Sequence, residues 1–72
     1  MTTITDSQTL GALIRNERKR QKVTQVELAS LAGVGVRFLR ELEKGKDSCQ
    51  LGLVLCVLST LGVSVNAATR EQ

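Results

Sequence analysis

The sequence predicts an all-α domain of four short helices, with a fifth as an alternative for its end, and three observations carry that prediction. Apolar residues recur at helical spacing along the chain, proline is absent from its 72 residues, and capping residues stand at the ends of the periodic stretches. A chain this short is one domain, close to the lower size limit for a self-sufficient core, so a supplement from metal, disulfide or self-association is expected. With two cysteines and no histidine, no metal site is expected, and nothing suggests a cofactor. On one helix, Cys49 and Cys56 would hold their Cα atoms about 10 Å apart, beyond disulfide reach, so both thiols are expected to be reduced. Self-association is left as the supplement.

The first helix is expected to begin after a cap at Ser7 or Thr9, behind a flexible segment over residues 1–8. Leu10, Leu13 and Ile14 share one stripe, with Arg15 and Lys19 opposite. Glu17 falls inside that stripe, where Arg20, Gln21 or another subunit could engage it. The second helix opens at Thr24, whose hydroxyl forms a capping box with Glu27 in T-Q-V-E. Leu28, Ala29, Leu31 and Ala32 make its apolar side, and Gly33 closes it as a left-handed cap. Only GVG separates it from VRFLRELEKG, a third helix closed at Gly45. Two short helices joined by so tight a turn form a helix-turn-helix.

The third helix divides cleanly on the wheel. Phe38, Leu39 and Leu42 face inward, with Glu43 beside them. Val36, Arg37, Arg40, Glu41 and Lys44 occupy the other arc and include the side chains that read base edges in a major groove. A carboxylate at the core-facing position of Glu43 needs a cation, and Arg18 is the best candidate. A buried Arg18–Glu43 pair should therefore tie the first helix to the third.

Charge placement agrees with a polyanionic partner. The net charge is only +3, but Arg15 to Lys22 holds five basic residues and one acidic residue. Arg37, Arg40, Lys44 and Lys46 form a second basic set. The chain has no histidine or tyrosine, no phosphate-cradling glycine loop and no close carboxylate pair, so an enzyme is not expected. The N-terminus, MTTITDSQT, lacks the basic flank and apolar stretch of a signal peptide, which favours a cytoplasmic protein.

From Ser48 to Thr69 the chain carries no charge for 22 residues, about the length that crosses a bilayer. Contiguous apolar residues end at Leu58 and polar residues follow, so membrane insertion is not expected. The last helix should span about Gln50–Leu61, with Leu51, Val54, Leu55, Leu58 and Leu61 covering the first and third helices. Leu53, Cys56 and Val57 then remain on the other faces, where a second copy of the chain would bury them. After Gly62, V-S-V-N-A alternates in the manner of a strand, and Val63 and Val65 would extend a dimer interface. A fifth helix from Val63 is the alternative. The organisation is thus a domain over 9–62 and a dimerisation strand and tail over 63–72.

Over residues 10–65 the chain resembles the Xre or Cro/C1-type helix-turn-helix family, most closely HipB-type antitoxins. The likeness lies in IRNER, TQVELA, LAGV, FLRELEKGK and LSTLGV at the family's spacing. It implies a lambda-repressor-like bundle of four or five helices with a C-terminal strand pairing across a homodimer. It also implies a repressor of its own toxin–antitoxin operon, with double-stranded operator DNA and a HipA-like kinase toxin as partners. By position, Gly35, Val36, Arg37, Arg40 and Glu41 would face bases, and Thr24, Gln25, Lys44 and Lys46 would face phosphates. The family also pairs the residues matching Arg18 and Glu43. The sequence departs from the pattern at Gly35, where relatives often cap with Ser or Thr. It departs again at Lys22, a usual glycine, and at Cys49, a common proline. A phage-type Cro/C1 regulator is one alternative function, and an adaptor using the fold without DNA is another.

Overall fold

The structure, a computed structural model, describes residues 3–70 and contains four helices: α1 (Ser7–Arg20), α2 (Gln25–Ala32), α3 (Val36–Glu43) and α4 (Leu51–Thr60). Ile14 from α1, Leu28 from α2, Leu39 and Leu42 from α3 and Val57 from α4 are fully enclosed at the centre. Ala29, Val54, Leu58 and Leu61 complete this core.

Local chemistry explains the helix ends. Asp6, rather than Ser7 or Thr9, caps α1, its carboxylate accepting the Thr9 N–H at 2.7 Å. A carboxylate gains more than a hydroxyl from the positive end of a helix, and this contact lowers the Asp6 pKa. Ser7 is thereby released to donate its hydroxyl to the Gly45 carbonyl at 2.9 Å, pinning the start of α1 to the end of α3. The first helix therefore begins at Ser7. Thr24 and Glu27 form the expected capping box on α2, and Gly33 closes that helix in the left-handed region at φ 73°. Gly35 caps α3 through its backbone alone. Gly45, left-handed at φ 91°, stands one residue beyond the actual C-cap, Lys44.

Lys22 is the one described non-glycine residue at positive φ, 59°. It follows the C-cap of α1, where the Lys22 N–H reaches Lys19 O and the Val23 N–H reaches Arg18 O. This reversal requires a left-handed residue, and a Cβ there costs about 1 kcal/mol. Lys22→Gly should therefore raise the unfolding free energy by about 0.5–1 kcal/mol in urea titrations.

Two apolar stripes differ from expectation. Leu31 is 71% exposed, because α2 turns Leu28 and Ala29 toward its neighbours and leaves Leu31 on the flank. The helix α4 packs most extensively on α2, not on α1 and α3. It consequently buries Val54, Val57, Leu58 and Leu61, and leaves Leu51 69% and Leu55 44% exposed. Val57 belongs to the core, Leu53 is half-buried and Cys56 is exposed. Of the expected outward residues Leu53, Cys56 and Val57, Cys56 lies outside, while Leu51 and Leu55 take the exposed positions expected of the other two.

Neither the fifth helix nor a strand is formed among the described residues, and residues 63–70 have no regular structure. A strand that pairs only across a dimer has no partner within one chain. No helix among the described residues is long and apolar enough to cross a membrane. Glu17 is engaged within the chain: it accepts from Arg20 Nε at 3.0 Å and Gln21 Nε2 at 2.9 Å. Those two contacts hold its pKa down to about 2. Gln21 also donates to Leu61 O at 2.8 Å, so the end of α1 is tied to the end of α4.

Candidate nucleic-acid interface

The site is built from a buried polar centre outward. Arg18 places Nε 2.7 Å from Glu43 Oε2 and Nη2 3.0 Å from Oε1, a bidentate pair. Its Nη1 donates to Val23 O at 2.9 Å, which fixes the α1–α2 connection. Gln25, first residue of α2, donates Nε2 to Glu43 Oε1 at 3.0 Å. One carboxylate therefore draws together α1, α2 and α3. Among the described residues no buried side-chain nitrogen or oxygen lacks a hydrogen-bond partner. The expected Arg18–Glu43 pair is present. The bond to Gln25 has no signal in the sequence, since it depends on how closely the N-terminus of α2 approaches the end of α3.

Above this centre opens a cleft of about 430 Å³ lined by Arg15, Gln25, Arg40, Glu43 and Lys44. Its only carboxylate lies at the base, already engaged by Arg18 and Gln25, while three cationic side chains form the walls. Gln25 is the first residue of α2, so its backbone N–H has no intrahelical acceptor. Such an arrangement suits an anion. Of the two basic residues on the outer face of α1, Arg15 lines the cleft and Lys19 does not. The Thr24 hydroxyl accepts the Glu27 N–H at 3.1 Å as the cap of α2, which leaves its own O–H to donate.

The solvent arc of α3 is more differentiated than its sequence suggests. The Arg37 side chain is 90% exposed and stands clear of the body, with Nε 3.6 Å from Glu41 Oε2. Arg40 is exposed and also lines the cleft beside Arg15 and Lys44. Val36 is half-buried against the core and presents only part of its surface. Gly35 offers bare backbone at the start of the helix, and no atom lies within 4 Å of where a Cβ would stand. Lys46 donates Nζ to Glu41 Oε1 at 3.0 Å, a contact that lowers the Glu41 pKa.

A second surface lies away from the cleft. Ile4, Leu10, Leu13, Leu51, Leu55, Val63 and Val65 line an open apolar groove of about 760 Å³. Neither Leu53 nor Cys56 contributes to it. Both cysteines are free, with Cys49 half-buried and Cys56 exposed.

A short second helix, a tight glycine turn and a third helix with a cationic outer arc together define a helix-turn-helix domain. A family profile described as "Helix-turn-helix domain" matches residues 9–71. An HTH-type transcriptional regulator of Sinorhizobium fredii, y4mF, is 54% identical over 57 residues, covering 79% of this chain and 75% of that protein. The immunity repressor protein of Bacillus phage phi105 is 33% identical over 64 residues, covering 89% of this chain and 44% of the phage protein. The chain belongs to the helix-turn-helix domain family of transcriptional regulators. Its fold matches a solved "HipB-O4 20mer complex" with TM-score 0.87 at 21% identity, over 99% of this chain and 100% of that one. The HipB fold recurs in a "HipA-HipB-O2-O3 complex" with TM-score 0.88, again at 21% identity and with 99% and 100% coverage.

Proposed function

We propose that this chain is a homodimeric, sequence-specific repressor that binds double-stranded operator DNA, and a HipB-like antitoxin of a toxin–antitoxin operon that it regulates itself. The observation that carries the DNA reading is the cationic cleft of Arg15, Gln25, Arg40 and Lys44 beside the exposed Arg37. Phosphates seat at the α2 N-terminus and along the cleft, which fixes the register, while Arg37 enters the major groove and makes a bidentate contact to guanine. Glu41, Val36 and the Gly35 backbone adjoin that contact. Arg37→Ala should cost about 1–3 kcal/mol on the preferred operator and relax sequence preference there. Lys46→Ala should weaken binding evenly across sequences and reduce the salt slope by about one. Anisotropy titrations over a range of salt check both. Arg37→Ala binding every duplex as the parent does would reject the assignment.

The dimer reading rests on the apolar groove. Leu51, Leu55 and Val65 are 69%, 44% and 62% exposed, and no charged side chain lines their groove. Contiguous apolar surface of this kind marks an interaction site. A second copy buries it, and the V-S-V segment after Gly62 pairs with its symmetry mate. Such a dimer presents two recognition helices to half-sites about one DNA turn apart. Leu51→Lys/Leu55→Lys should sediment as a folded monomer and lose operator binding, whereas the parent sediments as a dimer. The antitoxin role is supported by the likeness to HipB, which a solved complex joins to HipA. Co-purification of a kinase-like toxin encoded beside the gene tests it.

A further inference from the structure

Glu41 puts a negative charge in the middle of the surface that faces the polyanion. It sits one helical turn beyond Arg37, and its side chain is 34% exposed against 90% for Arg37. Both carboxylate oxygens have cationic neighbours, Lys46 Nζ at 3.0 Å and Arg37 Nε at 3.6 Å. Lys46 is held twice, because its backbone N–H also donates to the Glu41 carbonyl at 3.1 Å. The loop after α3 is thereby clipped to the recognition helix through this one residue.

The two pairs differ in strength, and the difference has a consequence. The Lys46 contact is a hydrogen-bonded ion pair supported by the backbone. The Arg37 contact is longer and wet, so it steers the guanidinium without locking it. Random DNA offers Arg37 mainly phosphates, and on that ground Glu41 works against binding: it repels the phosphates and competes for the guanidinium. A guanine presented to Arg37 supplies two directed hydrogen bonds that the exposed carboxylate contact cannot match.

We propose that Glu41 is a specificity-determining residue acting through Arg37, withholding its guanidinium from indiscriminate phosphate contact so that tight binding requires the base that captures it. This rests on the DNA-binding reading above. Specificity here comes from penalising the wrong partner as well as rewarding the right one.

Glu41→Gln preserves shape and removes the charge. Its affinity is measured for two probes, a duplex enriched from a randomised library and poly(dI-dC), across a salt series. The affinity for poly(dI-dC) should rise about threefold to tenfold at low salt, and its salt slope should steepen by about one. Affinity for the enriched duplex should rise less, so the ratio between the probes falls. Glu41→Ala should shift the ratio in the same direction. Glu17→Gln makes the same change in net charge at the end of α1, on a residue bonded to Arg20 and Gln21, and should leave the ratio at the parent value. If Glu41→Gln moves both affinities by the same factor, only net charge is at work and the proposal fails. It fails equally if Glu41→Gln loses preference at a single base pair while its poly(dI-dC) affinity is unchanged, which would make Glu41 a base reader. A parent protein without preference for the enriched duplex would reject the DNA reading itself.

Discussion

Arg18→Met should lower the unfolding free energy by about 3–5 kcal/mol, the usual cost of removing one partner from a buried ion pair. Methionine preserves most of the apolar stem and deletes every donor that Arg18 supplies. The Glu43 side chain is only 2% exposed, so water cannot replace what is lost, and the Gln25 amide becomes its remaining donor. Val23 O loses its partner in the same substitution. A domain of this size has a total stability of about 4–11 kcal/mol, so the variant should be marginally folded or unfolded in urea titrations followed by circular dichroism. A loss below about 1 kcal/mol would mean that water reaches the pair.

The double variant Arg18→Met/Glu43→Leu separates the pair's two roles. With both charges gone, no ion is stranded in the interior, and most of the lost stability should return. The Gln25 amide then has no carboxylate to hold it beside the cleft. Recovery of folding without recovery of DNA affinity is therefore expected. Recovery of both would mean that Glu43 contributes to the fold and nothing to the phosphate surface.

Legibility in the sequence follows the contrast between neighbouring residues. The α3 wheel has strong contrast, which makes Arg37 and the Arg18–Glu43 pair readable from residue spacing. The box of Thr24 and Glu27 and the cap at Gly33 are readable for a similar reason, since each is local chemistry with few alternatives. The α4 stretch is apolar nearly all round, so its pattern cannot say which side meets α2. The placement of Val57 inside and Leu51 and Leu55 outside is decided by tertiary packing alone. The same holds at Gln25: its position in the second helix suits a phosphate contact, while its bond to Glu43 depends on how α2 approaches α3. Leu31 carries no mark to distinguish it from the buried Leu28.

Gly11 is also silent in the sequence, being one small residue within an ordinary helical stretch, yet Gly11→Ala should be among the most damaging single substitutions. A Cβ at Gly11 would lie 2.4 Å from Leu42 O, 2.9 Å from Glu43 O and 3.1 Å from the Glu43 carbonyl carbon. All three are backbone atoms at the end of α3, so no side-chain rotation relieves the overlap. The two helices must separate, and that movement stretches the Arg18–Glu43 pair and the Ser7 bond to Gly45 that join the same elements. Alanine in a helix interior ordinarily gains about 0.5–1 kcal/mol over glycine. Overpacking of this severity outweighs that gain, for a net loss of about 2–3 kcal/mol. Gly52 provides the contrast: it lies in α4, is exposed, and has no atom within 4 Å of the place a Cβ would occupy. Gly52→Ala should stabilise by about 0.5–1 kcal/mol. Opposite signs for these two glycines in parallel urea titrations would establish the backbone contact between α1 and α3, and a gain at both would show that the helices lie further apart.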